Sequence, residues 1–206
     1  MQFDYVIVGG GSAGSVLASR LSEDPQVKVC LLEAGGAGKS ILVRLPTGII
    51  VMGPGRPVKI NNWAFETVPQ KGLNGRRGFQ PRGKALGGSS ALNAMLYVRG
   101  DRQDYDTWAA EGCHGWDWDS VLPYFRRAEN NERGEDAYHG SSGPLHVSEP
   151  QEPRPMAHAF VEAAKCLQVR ERQDFNTGEN EGCGLYQVTQ FHDERNGERC
   201  SAAAAY

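Results

Sequence analysis

The 206 residues predict an α/β fold with parallel strands, and three features carry that prediction. Residues 4–8 (DYVIV) are a β-branched run ending in glycines, residues 13–21 have helical apolar spacing, and residues 27–32 form a second apolar strand. Strand, helix and strand in that order make a βαβ unit, in which a crossover helix joins two parallel strands.

The remaining elements follow in order. Residues 35–62 are rich in Gly and Pro around an apolar island at 49–52, which predicts an extended, loop-dominated excursion. Residues 63–69 resume as a strand, followed by a turn at Asn74-Gly75. Residues 119–129 predict a helix with Leu122, Phe125 and Ala128 on one face, Pro123 being tolerable near a first turn. The polar, proline-punctuated stretch 134–155 predicts a passage between subdomains, which divides the chain into residues 1–135 and 136–206. Pro155 opens a helix whose Met156, Phe160, Ala163, Ala164 and Leu167 share one face, read as core packing. Residues 185–191 read as a strand and Asn196-Gly197 as a turn. The closing SAAAAY begins a helix too short to stand alone, so the chain is expected to be cut from a longer parent.

Composition removes several function classes. The chain is 39% hydrophobic and 23% charged, enough for a real core, and its net charge of −3 with no basic block lacks a nucleic-acid footprint. No apolar stretch approaches a membrane span, and the N-terminus runs through Asp4 into a strand without a basic leader, which predicts a cytoplasmic protein with peripheral membrane association left open. Cys30, Cys113, Cys166, Cys183 and Cys200 are odd in number and scattered without a CxxC pair, so reduced structural thiols are expected rather than disulfides or a metal site.

Gly9, Gly11 and Gly14 form GxGxxG directly after a strand and at the opening of a helix. In that context Gly9 allows the tight turn, Gly11 admits a pyrophosphate to the backbone at Ser12 and Ala13, and Gly14 lets helix and sheet approach. Glu33 ends the second strand, where a carboxylate can accept from both ribose hydroxyls; a 2′-phosphate would meet a like charge, which disfavours NADP. GGAGKS at 35–40 imitates a triphosphate loop, but GxxxxGK[ST] would need glycine where Glu33 stands.

A second glycine loop, GKALGGSSALNAM at 83–95, has no role in simple nicotinamide binding. A flavin needs more, because its ring must be held in plane by donors while one face stays open. Gly87 and Gly88 permit close backbone approach, Ser89 and Ser90 can donate, and Asn93 offers an amide.

These residues, with NWAF at 62–65, PRGKALGGSSALN at 81–93, YVRG at 97–100, Asp106, YHG at 138–140, GPL at 143–145, Arg199 and Ser201, resemble the glucose-methanol-choline (GMC) oxidoreductases. The resemblance is greatest to the bacterial choline-dehydrogenase-like alcohol dehydrogenases, and it covers essentially the whole chain. It implies a Rossmann-like FAD-binding domain, incomplete here, over 1–135, and the beginning of an α+β substrate-binding domain over 136–206. It also implies FAD contacts at Gly9, Gly11, Ser12, Ala13, Gly14, Glu33 and Ala34 for the adenosine and pyrophosphate half. Trp63, Arg82, Gly83, Gly87, Gly88, Ser89, Asn93, Ala94, Met95 and Leu96 would lie nearer the flavin.

The implied reaction oxidises an alcohol to an aldehyde or ketone by hydride transfer to flavin N5, with a quinone or oxygen as acceptor. Some members attach FAD through a histidine where this chain has Leu92, so noncovalent FAD is expected. The family's catalytic His and its His or Asn partner would lie beyond Tyr206. None of His114, His139, His146, His158 and His192 matches that position; His139 and His146 flank a turn and are expected to satisfy local backbone groups. Two other readings stay open: a nicotinamide dehydrogenase, which leaves residues 83–106 unexplained, and a nucleotide-binding remnant without catalysis.

Overall fold

The computed structural model describes residues 1–52, 59–195 and 197–206. They form two compact units, Met1–Met95 with Gly197–Tyr206, and Leu96–Asn196. The units part at 95/96, not at the predicted 135/136. Leu96 and Tyr97 pair with Val188 and Gln187, and Arg99 is buried on Glu129, so the chain joins its second unit as soon as it passes Met95. The polar stretch 134–155 is not a linker: it contributes buried Val147 and buried His139, whose ring joins Glu129 in an internal hydrogen-bond network.

In the first unit β1 (Tyr5–Val8) and β2 (Val29–Leu32) pair in parallel, Tyr5 opposite Val29 through Val8 opposite Leu32. The crossover is α1 (Ser12–Leu21). A Cβ on Gly14 would lie 1.9 Å from the Gly9 carbonyl oxygen, so only glycine lets this helix sit so near the strand end.

The excursion after β2 is more ordered than a loop. It contains α2 (Ile41–Arg44), a 3₁₀ turn at Pro46–Gly48 and α3 (Ile49–Met52). Val43 and Met52 bury with Ala91 and Leu92 as a small apolar core. Helical turns this short have no stability of their own, so tertiary burial holds them; the part of the excursion at 53–58 lies outside the described residues. The strand predicted over 63–69 contracts to β3 (Phe65–Glu66), antiparallel to β4 (Phe79–Gln80). Between them Asn74 and Gly75 turn with φ of 54° and 77°. A final helical turn, Ala202–Ala205, is anchored where the Ala202 N–H donates to Ser90 Oγ at 2.8 Å.

The second unit begins with β5 (Leu96–Tyr97) and α4 (Arg102–Ala110), whose start carries a capping box between Asp101 and Asp104. Next come α5 (Trp118–Ala128), capped by Asp117, and the parallel pair β6 (Glu129–Asn131) and β7 (Leu145–Val147). Pro123 sits inside α5, past its first turn, where it has no N–H to donate to the carbonyl of Asp119, an exposed residue. Then follow α6 (Pro155–Cys166) and β8 (Gln187–Val188), the latter shorter than the strand predicted over 185–191. The apolar stripe of α6 is not core. Met156, Phe160 and Leu167 are 77%, 69% and 79% exposed, and Val161 is the residue that buries; periodicity marks an apolar face without saying what covers it. The turn predicted at Asn196-Gly197 involves Asn196, outside the described residues.

Candidate functional site

The first unit carries the site. After β1 the chain turns at Gly9, whose φ of 98° favours glycine, and the Gly9 N–H donates to Leu32 O at 2.7 Å. Gly11 then precedes α1 as its N-cap, with no side-chain cap and no acidic residue in the first turn. The first amides of the helix are therefore left for an anion. Gly11 has an ordinary φ of −76°, and a Cβ there would meet nothing nearer than Gly88 Cα at 3.9 Å. Neither conformation nor packing requires glycine at this position, which leaves open space in front of the turn.

The second glycine loop is fastened to the first by a backbone hydrogen bond and close backbone packing. The Gly87 N–H donates to Gly10 O at 2.7 Å, and Gly87 and Gly88 have φ of 91° and 54°. A Cβ on Gly88 would lie 2.7 Å from Gly11 Cα, and one on Gly83 would lie 1.9 Å from Gly88 O. The glycines of GGAGKS serve the same assembly. A Cβ on Gly35 would strike the Lys84 carbonyl carbon at 2.1 Å, one on Gly38 would lie 2.4 Å from Leu86 O, and the Leu86 N–H donates to Gly36 O at 2.8 Å.

Between the loops opens a cleft of about 780 Å³. Gly9, Gly11, Ser12, Glu33 and Ala34 line one part of it, and Trp63, Arg82, Gly83, Gly88 and Ser89 another. Glu33 does more than face the cleft: its oxygens accept from the Gly10 N–H at 2.8 Å and the Gly35 N–H at 2.7 Å, tying the glycine turn to the strand end. Val8, Leu32 and Phe65 also line the cleft and were not among the candidates. Phe65 was legible in principle, since it belongs with Trp63 to the NWAF stretch at 62–65.

Other candidates stand outside the cleft lining. Ala13 is exposed on α1, while Gly14 and Gly87 are buried in the scaffold. The Asn93 amide oxygen accepts from the Met95 N–H and from Arg199 Nη1, at 3.1 and 2.8 Å. Ala94 is exposed, Met95 is buried with φ of 63°, and Leu96 belongs to the second unit. Arg199 is 2% exposed; its guanidinium also donates to Val43 O and Asn93 O, and burial brings its pKa down to about 10.

None of the five histidines lines the cleft. His139 does not serve backbone groups with its ring: Nδ1 lies 2.7 Å from Glu129 Oε1 and Nε2 lies 2.7 Å from Asp174 Oδ2. Burial opposes its charge, but hydrogen bonds to Asp174 and Glu129 prevail and raise its pKa to about 9. His146 lies against the rings of Phe191 and His192 and 3.8 Å from Asp193, and burial lowers its pKa. Among the described residues no group of three or more His, Cys, Asp or Glu could hold a metal ion, and no helix is long and apolar enough to cross a membrane.

A βαβ turn with an open helix N-terminus, an acidic strand end and a cleft between them defines a dinucleotide-binding protein of the Rossmann-like α/β class. The chain belongs to the GMC oxidoreductase family, whose profile matches residues 3–206. It is 45% identical over 205 residues to an alcohol dehydrogenase [acceptor] of Pseudomonas putida, covering 99% of this chain and 36% of that protein. It is 44% identical over 208 residues to an oxygen-dependent choline dehydrogenase of Sinorhizobium fredii, covering 100% of this chain and 36% of the relative. The crystal structure of pyridoxine 4-oxidase from Mesorbium loti superposes with a TM-score of 0.90 at 39% identity, covering 100% of this chain and 39% of that one. Formate oxidase superposes at 0.85 with 28% identity, covering 99% of this chain and 36% of its own. The chain thus spans about 36% of the length of the curated relatives it matches.

Proposed function

We propose that this chain supplies the nucleotide-binding part of an FAD-dependent alcohol oxidoreductase and holds FAD noncovalently in the 780 Å³ cleft. The observation that carries the reading is the space at Gly11, which no protein atom needs, facing a second glycine loop that packs backbone to backbone against the first. The pyrophosphate would take the amides at Gly11 and Ser12, beside the positive end of α1. Each Glu33 oxygen keeps a lone pair after its backbone bond, enough to accept from the ribose hydroxyls. Trp63, Arg82, Gly83, Gly88 and Ser89 would enclose the ring system. A nicotinamide reading leaves that second group without a task.

Bound FAD would supply the hydride acceptor, at flavin N5, for conversion of an alcohol to an aldehyde or ketone. Alcohol, choline and pyridoxine in the relatives' names all carry an oxidisable C–OH group, which supports an alcohol as electron donor. The chain's own residues bind, orient and exclude water. Leu92 offers only hydrocarbon, buried beside Val43, Met52 and Ala91, and so no atom for a covalent link. His139 lies between the Glu129 and Asp174 carboxylates, which favour its protonated form and disfavour it as acceptor of the hydroxyl proton. We assign nucleotide binding to the first unit and the start of a substrate-binding framework to the second.

The test is acid precipitation of flavin-saturated full-length protein. Yellow FAD in the supernatant supports the reading, and flavin absent from both supernatant and precipitate refutes it. Flavin retained in the precipitate would refute the noncovalent part alone.

A further inference from the structure

Lys84 is a cation without a carboxylate. Among the described residues no acidic side chain pairs with its ammonium, which lies instead 4.3 Å from the centroid of the Trp63 ring. Trp63 in turn stacks on Phe65, with centroids 5.7 Å apart and planes within 7°. Both rings line the cleft, and both are partly open to it.

The backbone that presents Trp63 is held under constraint. Asn61 and Ala64, on either side, have φ of 53° and 49°, a region that non-glycine residues adopt only where their surroundings impose it. Asn62 imposes it: its buried amide donates to Met52 O at 2.8 Å, and its Oδ1 accepts from the N–H groups of Ala64 and Arg82 at 2.9 and 3.0 Å. The Lys84 N–H donates to Asn61 O and the Trp63 N–H to Arg82 O, both at 2.8 Å, so the cation and the indole are fixed on opposite sides of one short backbone bridge. Gly35 packed on the Lys84 carbonyl immobilises the lysine's own backbone.

We propose that Lys84 is a positioning residue whose ammonium, seated on the Trp63 ring, holds the Trp63–Phe65 stack as an aromatic wall of the cleft, against whose open face a planar heteroaromatic ring of the bound dinucleotide stacks. The inference rests on the flavin reading above and deepens it. An exposed indole samples several rotamers, and a wall ordered before the ligand arrives spares that entropy on binding. A cation on the indole face restrains the ring without a hydrogen bond, by attraction to its negative π-face.

The test titrates FAD-stripped full-length protein with FAD and with ADP, in wild type, Lys84→Met, Lys84→Arg, Trp63→Leu and the Lys84→Met/Trp63→Leu pair. Lys84→Met is expected to weaken FAD by about 3- to 10-fold, the range of a partly desolvated cation–π contact, with Lys84→Arg restoring affinity to within roughly two-fold. Adding Lys84→Met to Trp63→Leu is expected to cost nothing further. An equal loss with ADP puts adenine on the wall, and a loss confined to FAD puts the isoalloxazine there; either supports the role. Wild-type affinity in Lys84→Met, failure of arginine to restore it, or an undiminished loss in the Trp63→Leu background would overturn it. A wild-type protein that binds neither FAD nor ADP would overturn the flavin reading and this role together, whereas normal wild-type binding with an indifferent Lys84 overturns this role alone.

Discussion

Gly88 and Gly11 face each other asymmetrically: a Cβ on Gly88 would come within 2.7 Å of Gly11 Cα, whereas a Cβ on Gly11 would stay 3.9 Å from Gly88 Cα. Gly88 is required by the packing of the protein itself, and we propose that Gly11 is required by what the protein binds. Gly88→Ala, at φ 54°, is expected to cost about 1–3 kcal/mol of stability, from strain and displacement of the loop. Gly11→Val is expected to cost only about 1 kcal/mol, the effect of a poorer N-cap. Yet it should weaken FAD far more than ten-fold, since two added methyl groups fill the pyrophosphate's place. Urea unfolding of apoprotein alongside FAD titration separates the two, and equal FAD affinity in Gly11→Val and wild type would remove the pyrophosphate from this turn.

Glu33 has two duties, and substitution should expose both. Glu33→Ala leaves the Gly10 and Gly35 N–H groups without their acceptor, for an expected loss of about 1–3 kcal/mol in apoprotein stability. FAD affinity is expected to fall as well, by more than Glu33→Gln produces, because the amide keeps one acceptor. An unchanged unfolding midpoint in Glu33→Ala apoprotein would contradict the tie between turn and strand.

Arg199 reaches across 106 residues to Asn93, donating to its carbonyl and side-chain oxygens at 2.8 Å each. Arg199→Met preserves much of the apolar length but strips buried carbonyls of their donor, so a loss of about 2–4 kcal/mol is expected. Thermal unfolding of the variant checks it; a midpoint unchanged from wild type would show that the guanidinium is dispensable to the second loop.

His139 makes the second unit's stability depend on pH. Its folded pKa of about 9 lies above the ordinary 6.5, so its contribution is complete below about 6.5 and is lost as pH rises through 9. The amount is on the order of 2 kcal/mol. Between pH 6 and 9.5 the unfolding midpoint of wild type should fall more steeply than that of His139→Gln. Parallel slopes would mean that the imidazolium is not favoured in the folded state.

The same charge state bears on chemistry. A positioned general base is typically worth about 10²- to 10⁴-fold in rate. In full-length protein, His139→Gln is expected to leave the rate of flavin bleaching by alcohol within about ten-fold of wild type, measured by anaerobic stopped flow below the unfolding temperature. A larger loss at unchanged stability would return His139 to the reacting centre.

The βαβ unit, the glycine turn and the acid at its strand end were legible because each is local. A β-branched run, a helical period and glycines at fixed offsets act within a few residues of one another, and their meaning does not wait on distant contacts. GKALGGSSALNAM was legible as a second glycine loop for the same reason. The histidines were not, because whether His139 serves a turn or stands between Glu129 and Asp174 depends on residues 10 and 35 positions away. Nor was the stripe on α6, since Met156 and Phe160 carry the period of a buried face but not the neighbour that would bury it.

By itself, then, the sequence determined a dinucleotide-binding α/β unit with two glycine loops and an acidic strand end, because turn conformation and side-chain period are set by nearest neighbours along the chain. Only the tertiary structure decided where the units part, that helical turns form at 41–52, and which glycines packing requires and which it does not. Those outcomes rest on burial and on closeness of approach between segments far apart in sequence, and a distance between Gly88 and Gly11 exists only once the chain has folded.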